Sequence, residues 1–183
     1  MNGNLFSTAF PKSQALHRAA AVGLGVIILT LASKVQVPFW PVPMTLQTLA
    51  VLMIGATAGM RLGSATVLAW LGLGALGAPV FATGAGLAYM AGPTGGYLAG
   101  FLLAAIAVGY LADKGQGRTI VSALAVLLVG LVAIYALGLG WLAMLIGPHK
   151  AVAAGLMPFI PAEVLKLALG TAILTAAWKQ AQR

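Results

Sequence analysis

The stretch Gly155-Leu-Met-Pro-Phe-Ile-Pro-Ala-Glu-Val-Leu-Lys-Leu-Ala-Leu-Gly-Thr-Ala-Ile-Leu-Thr-Ala-Ala-Trp178 has the length and apolar content of a membrane-crossing helix, yet it contains Glu163 and Lys166. A charge at the centre of such a helix costs about 2.5–3.5 kcal/mol on insertion scales, and less when two opposite charges pair. Spaced three residues apart, the two side chains share one helix face. Two readings follow: an ion pair that only orders a helix bundle, or the polar end of a binding cavity for a small solute. Burial of an ion pair rarely adds stability on its own, which favours the second.

The rest of the chain supports a membrane setting. Its 183 residues are 61% hydrophobic and 7% charged, and the mean hydropathy is +1.03. That leaves too little polar surface to face water. Apolar runs occur at residues 19–33, 44–60, 62–81, 97–112, 119–137 and 155–178. The fold class expected is an all-α integral membrane protein with six transmembrane helices and structured outer loops, organised as a single domain over residues 1–183. The second and third runs meet at residues 59–63, where a tight inner hairpin is expected. The apolar but short stretch 138–147, bounded by glycine and Pro148, is read as an outer interfacial turn or short helix.

The net charge of +8 is explained by topology. With both termini in the cytoplasm, Lys12, Arg18, Arg61, Lys114, Arg118, Lys179 and Arg183 fall inside and only Lys34 and Lys150 outside. Adding Lys166 accounts for all ten Lys and Arg, so no basic cluster is left for nucleic acid. Trp40, Tyr97 and Trp141 fall near the outer interface and Tyr110 and Trp178 near the inner one, where amphipathic rings settle. Lys12 and Arg18 before an apolar core have the look of a signal peptide, but no small-residue cleavage site follows, and the first run is read as a span.

Enzyme chemistry finds few candidates. Cysteine is absent, which removes thiolate metal sites and thiol nucleophiles. His17 and His149 lie outside the runs at opposite faces, Asp113 sits in an inner loop, and Glu163 is the only acid within a run. Neither a hydrolase nor a metal site can be assembled from that set, so no catalytic and no metal residue is assigned.

Small residues four apart, at Ala19 and Gly23, Ala21 and Gly25, Gly55 and Gly59, and Gly96 and Gly100, mark close helix contacts. Most such pairs pack a protein's own helices. The pairs Ala19/Gly23 and Ala21/Gly25 open the first helix, and a partner subunit is a further candidate to use that face. Two outer loops are also dense in information. Pro38, Pro41 and Pro43 give residues 37–47 a stiff, extended, hydrogen-bond-poor backbone. The glycines of residues 81–97 free backbone N–H groups to turn toward a ligand, or else make a mobile surface loop.

Three segments carry a family resemblance. Pro41-Val-Pro-Met-Thr-Leu-Gln-Thr-Leu-Ala-Val51, Ala91-Gly-Pro-Thr-Gly-Gly-Tyr-Leu-Ala-Gly-Phe101 and Pro161-Ala-Glu-Val-Leu-Lys166 resemble the hallmark segments of the BioY family, the biotin-specific substrate-binding (S) components of energy-coupling factor (ECF) transporters. The resemblance runs through essentially the whole chain, in order. Two departures are Glu163, where many relatives carry Asp, and a loop at residues 82–88 with fewer glycines than is usual. The resemblance implies high-affinity capture of biotin at a prokaryotic cytoplasmic membrane, with transport driven by partner subunits: a transmembrane coupling protein and cytoplasmic ATPases. No G-x-x-x-x-G-K-[ST] phosphate loop occurs in the chain.

Biotin is then the expected substrate, and no cofactor is implied. Its ureido group offers two N–H donors and a carbonyl, its fused ring and valeryl chain are apolar, and its tail ends in a carboxylate. Glu163 is assigned to the ureido N–H groups and Lys166 to a ureido or carboxylate oxygen. Trp40 and Tyr89 are assigned to stack on the apolar ring. Thr83, Thr94, Tyr97 and the N–H groups of Gly84, Gly95 and Gly96 complete the expected site, and the resemblance places partner coupling on Ala19, Ala21, Gly23 and Gly25. A stand-alone secondary transporter, in which Glu163 and Lys166 exchange a proton, and an S component for another vitamin are the alternatives.

Overall fold

The computed structural model describes residues 4–10 and 15–181. Lys12 and Arg183, assigned to the inner face, lie outside the described residues. In chain order the elements are α1 (Leu5–Ala9), α2 (Ala15–Lys34), β1 (Gln36–Val37), β2 (Met44–Thr45), α3 (Gln47–Ala75), α4 (Gly86–Met90), α5 (Gly95–Asp113), α6 (Ile120–Ile146), α7 (Pro148–Gly155), a 3-10 turn (Met157–Phe159) and α8 (Ile160–Ala181). Among the described residues five helical stretches are long and apolar enough to cross a membrane: α2, α3, α5, α6 and the joined α7–α8 segment Pro148–Ala181.

Five stretches appear where six runs were expected because runs 44–60 and 62–81 are joined within α3. The joint is Gly59, whose φ of 79° and ψ of 178° are not helical and fall in a region open essentially to glycine alone. A Cβ built on Gly63 would stand 3.2 Å from Gly55 Cα. In a straight helix eight residues span about 12 Å. The chain therefore doubles back at Gly59, with no loop between the arms 47–58 and 60–75. Asp113, at the end of α5, secures the bend: its Oδ2 accepts from the N–H of Met60 at 3.0 Å and its Oδ1 accepts from Asn4 Nδ2 at 2.6 Å. Asn4 also caps α1, accepting from Ser7 N.

Glycine and alanine let the central helices approach, as bilayer packing requires. Gly55 lies against Ala105 and Val108, Gly100 against the backbone of Ile134, and Gly130 against Leu52 and Val108. Of the pairs at the first helix, Gly25 is buried on Thr66, while Gly23 has open space around it and Ala19 is exposed. Ala19 and Gly23 thus face outward, and Ala21 and Gly25 face the bundle.

Two further expectations are corrected, and one outer loop gains detail. The stretch 138–147 does not form a turn, because α6 continues to Ile146 and stops only at Gly147 (φ 85°) and Pro148. Gly138 does not break the helix; it makes room for the Tyr97 ring. The ends of the proline-rich segment are tied together, since β1 and β2 pair antiparallel with Gln36 opposite Thr45 and Val37 opposite Met44. Among the described residues this two-stranded ribbon is the only sheet. His17, placed ahead of the first run, lies inside α2, which begins at Ala15.

Candidate functional site

Glu163 and Lys166 occupy the first turns of α8, whose start is set by α7 and the Met157–Phe159 turn. Both are buried, at 5% and 8% exposure. Their contacts account for both charges. Lys166 Nζ donates to Glu163 Oε1 at 2.7 Å, to the carbonyl of Thr45 at 2.7 Å and to Thr48 Oγ1 at 2.9 Å. An ammonium has three N–H donors, and three acceptors are in place. Thr48 Oγ1 lies 3.0 Å from each carboxylate oxygen of Glu163, to which it donates, and Tyr135 OH donates to Oε1 at 3.3 Å. The carboxylate is thus hydrogen-bonded on both oxygens without exposure to water.

This network forms one wall of a cavity of about 40 Å³, room for a few water molecules. Its lining is aromatic and sparsely polar: Phe81, Tyr89, Tyr97, Phe101, Tyr135 and Phe159 surround Thr45, Gln47, Thr48, Thr94 and Glu163. Phe81 stacks on Tyr89 with ring centres 5.1 Å apart, and Trp70 meets Phe81 edge-on at 4.9 Å. Tyr97 stands perpendicular to Tyr135 and donates its OH to the carbonyl of Gly155 at 2.8 Å. The side-chain amide nitrogen of Gln47 is buried in this wall without a hydrogen-bond partner. A buried donor left unmade is costly unless something arrives to accept from it.

The segment that roofs the cavity is held from the end of α2. Ser33 Oγ donates to the carbonyl of Val80 at 2.9 Å, Lys34 Nζ to that of Phe81 at 2.5 Å and Gln36 Nε2 to that of Ala82 at 3.3 Å. Trp141, within α6, reaches the following loop by donating its indole N–H to Gly92 O at 2.9 Å.

The residues expected from sequence divide. Glu163, Tyr89, Thr94 and Tyr97 line the cavity, and Lys166 stands behind Glu163. Trp40 is 84% exposed and away from the cavity, and Thr83 is exposed as well. Gly84 packs against the Tyr89 ring. The N–H of Gly95 donates to the carbonyl of Gly92, and Gly96 abuts Trp141 and the carbonyl of Leu137, so these two glycines serve a close helix contact. Thr45, Gln47, Thr48 and Tyr135 complete the polar wall although none was singled out. The first three lie within a quoted motif, and Tyr135 is the one hydroxyl-bearing ring within the run 119–137.

A helical, multi-pass membrane protein with a small cavity ended by a buried ion pair is built to hold a solute. The chain belongs to the BioY family, whose model matches residues 6–183, and that family is one of transporters, not enzymes. It is 38% identical to a probable biotin transporter BioY of Pyrococcus horikoshii, covering 85% of this chain and 91% of that one. Against the biotin transporter BioY of Thermotoga maritima it is 36% identical, with 86% and 94% covered. Its fold matches a crystal structure of the S-component for biotin from an ECF-type ABC transporter, with a TM-score of 0.80 over 92% of this chain and 94% of that one, at 24% identity.

Proposed function

We propose that this chain captures biotin as the S component of an ECF-type transporter and delivers it with energy from separate coupling and ATPase subunits. The observation that carries the reading is the conjunction of the Glu163–Lys166 pair with the unpartnered Gln47 amide in one cavity wall of a BioY-family chain. Glu163 Oε2, bonded only to Thr48 among the described residues, is the oxygen available to a ureido N–H. Gln47 Nε2 suits the ureido carbonyl or the tail carboxylate, and Tyr89 and Phe81 suit the apolar ring. Lys166, with three acceptors already, acts by holding Glu163 in place.

The cavity as it stands is small, about 40 Å³, and in this reading capture of biotin widens it at residues 80–82. The two arms of α3 count as separate crossings in this reading, which gives six spans in a cytoplasmic membrane. Arg61, Lys114 and Lys179 mark the cytoplasmic side and both termini lie there. The test is equilibrium binding of labelled biotin to the purified protein beside a Glu163→Ala/Lys166→Ala variant. Tight binding lost in the variant supports the assignment. Failure of a folded wild-type preparation to bind biotin, with binding of thiamine or riboflavin instead, overturns it.

A further inference from the structure

The cavity wall that carries Glu163 has no cation to spare for an anionic tail. No Lys or Arg lines the cavity among the described residues. Lys166, behind the wall, has all three donors engaged by Glu163, Thr48 and the carbonyl of Thr45. A second carboxylate laid against this wall would meet that of Glu163, and like charges at contact repel. With biotin as the ligand, the ureido end therefore takes the Glu163 wall, and the tail points the other way, past the roof at residues 80–82.

A cation stands at that roof. Among the described residues two lysines bond to groups that line the cavity: Lys166 at the wall, and Lys34 at the roof, where Nζ donates to the carbonyl of Phe81 at 2.5 Å. An ammonium has three donors. The Phe81 carbonyl takes one, and Lys34 is exposed, so the others are open to a further acceptor. Nor does an acid cancel its charge. The chain has only two acidic residues: Glu163 pairs with Lys166, and Asp113 accepts from Asn4 and the N–H of Met60. Gln36 donates nearby, to the carbonyl of Ala82 at 3.3 Å, and Ala82 also lines the cavity.

We infer that Lys34 is the counter-ion for the tail carboxylate of the bound ligand, and that it makes the site select the free acid over its neutral amides and esters. The inference rests on the biotin reading and adds to it the direction of the ligand. Gln47 Nε2, in the Glu163 wall, is then left to the ureido carbonyl. An ammonium and a carboxylate form a charge-assisted hydrogen bond that an amide of the same shape does not match.

The test is competition for labelled biotin on the purified full-length protein, by unlabelled biotin and by biotinamide, whose tail is neutral and nearly isosteric. The wild type should favour biotin by about tenfold. Lys34→Gln should bring that ratio to within about twofold, chiefly by weakening biotin, and Lys34→Arg should retain it. Lys150→Gln removes a cation on α7 that has no bond to the cavity lining, and should leave the ratio as it is. Equal affinity of the wild type for the two ligands overturns the inference and leaves biotin capture intact. So does an equal loss of both ligands in Lys34→Gln, which would make Lys34 a support of the roof only, and so does a ratio that collapses in Lys150→Gln instead. Binding of neither ligand by a folded wild type overturns the biotin reading and this inference with it.

Discussion

Lys34 Nζ, at the end of α2, donates to the carbonyl oxygen of Phe81 at 2.5 Å, and Phe81 lines the solute cavity. The helix whose outer face carries Ala19 and Gly23 is thereby joined directly to the roof over the ligand. Lys34→Met keeps the apolar stem and removes the charged donor. Dissociation of biotin should accelerate about five- to tenfold, in line with the loss of one charge-assisted hydrogen bond at a partly exposed site, while the association rate falls little. Stopped-flow exchange of labelled biotin separates the two rates, and an unchanged dissociation rate would show that the contact does not hold the roof.

Removing Lys166 should hurt more than removing both charges. Lys166→Met leaves the Glu163 carboxylate buried and unpaired, a loss of about 3–5 kcal/mol. The double variant Lys166→Met/Glu163→Gln should recover most of that stability without recovering binding. Thermal unfolding in detergent gives the comparison. Equal destabilisation of the single and double variants would mean that the two charges do not depend on one another.

Gln47→Leu separates function from folding. It discards a buried amide nitrogen with no partner, so stability should hold or rise slightly, whereas affinity for biotin should drop by roughly tenfold to a hundredfold if that nitrogen donates to the ligand. Calorimetry on the same preparation reads both. Unaltered affinity would place Gln47 outside the contact.

Gly59→Ala meets two obstacles at once. The backbone at φ 79° disfavours any side chain, and the added Cβ would collide with Asp113 Oδ1. A loss of about 3 kcal/mol is expected from the backbone strain alone. Asp113→Asn, which keeps shape but weakens the acceptor, should cost less. The order of melting temperatures, wild type above Asp113→Asn above Gly59→Ala, checks the account.

Glu163 and Lys166 were legible in the sequence because a charge within an apolar run is conspicuous, and the helices were legible because long apolar runs leave few other structures. The bend at Gly59 was legible as a hairpin but not as a break without a loop, since what holds it is Asp113, 54 residues on by numbering. Gln47 and Thr48 were hidden by position. A polar residue at the edge of an apolar run reads equally well as a helix start facing water. Trp40 is the opposite case: a ring in a stiff loop suits stacking, but sequence carries no sign of which way a proline-rich turn points, and here the ring is exposed outside the cavity. Gly95 and Gly96 illustrate a further ambiguity, for a glycine that exposes its N–H and one that admits a neighbouring helix look the same until the neighbour, here Trp141, is known.

The bond between Asn4 and Asp113 also sets an order of events at the ribosome. Its two ends are 109 residues apart, so α1 can rest on α3 as soon as that helix is made but cannot be tied by this bond until α5 has been made and threaded into the bilayer. The oldest segment of the nascent chain therefore gains its side-chain anchor late. A ribosome-stalled fragment ending before residue 113 should leave residues 4–10 more open to protease than one that exposes the whole of α5.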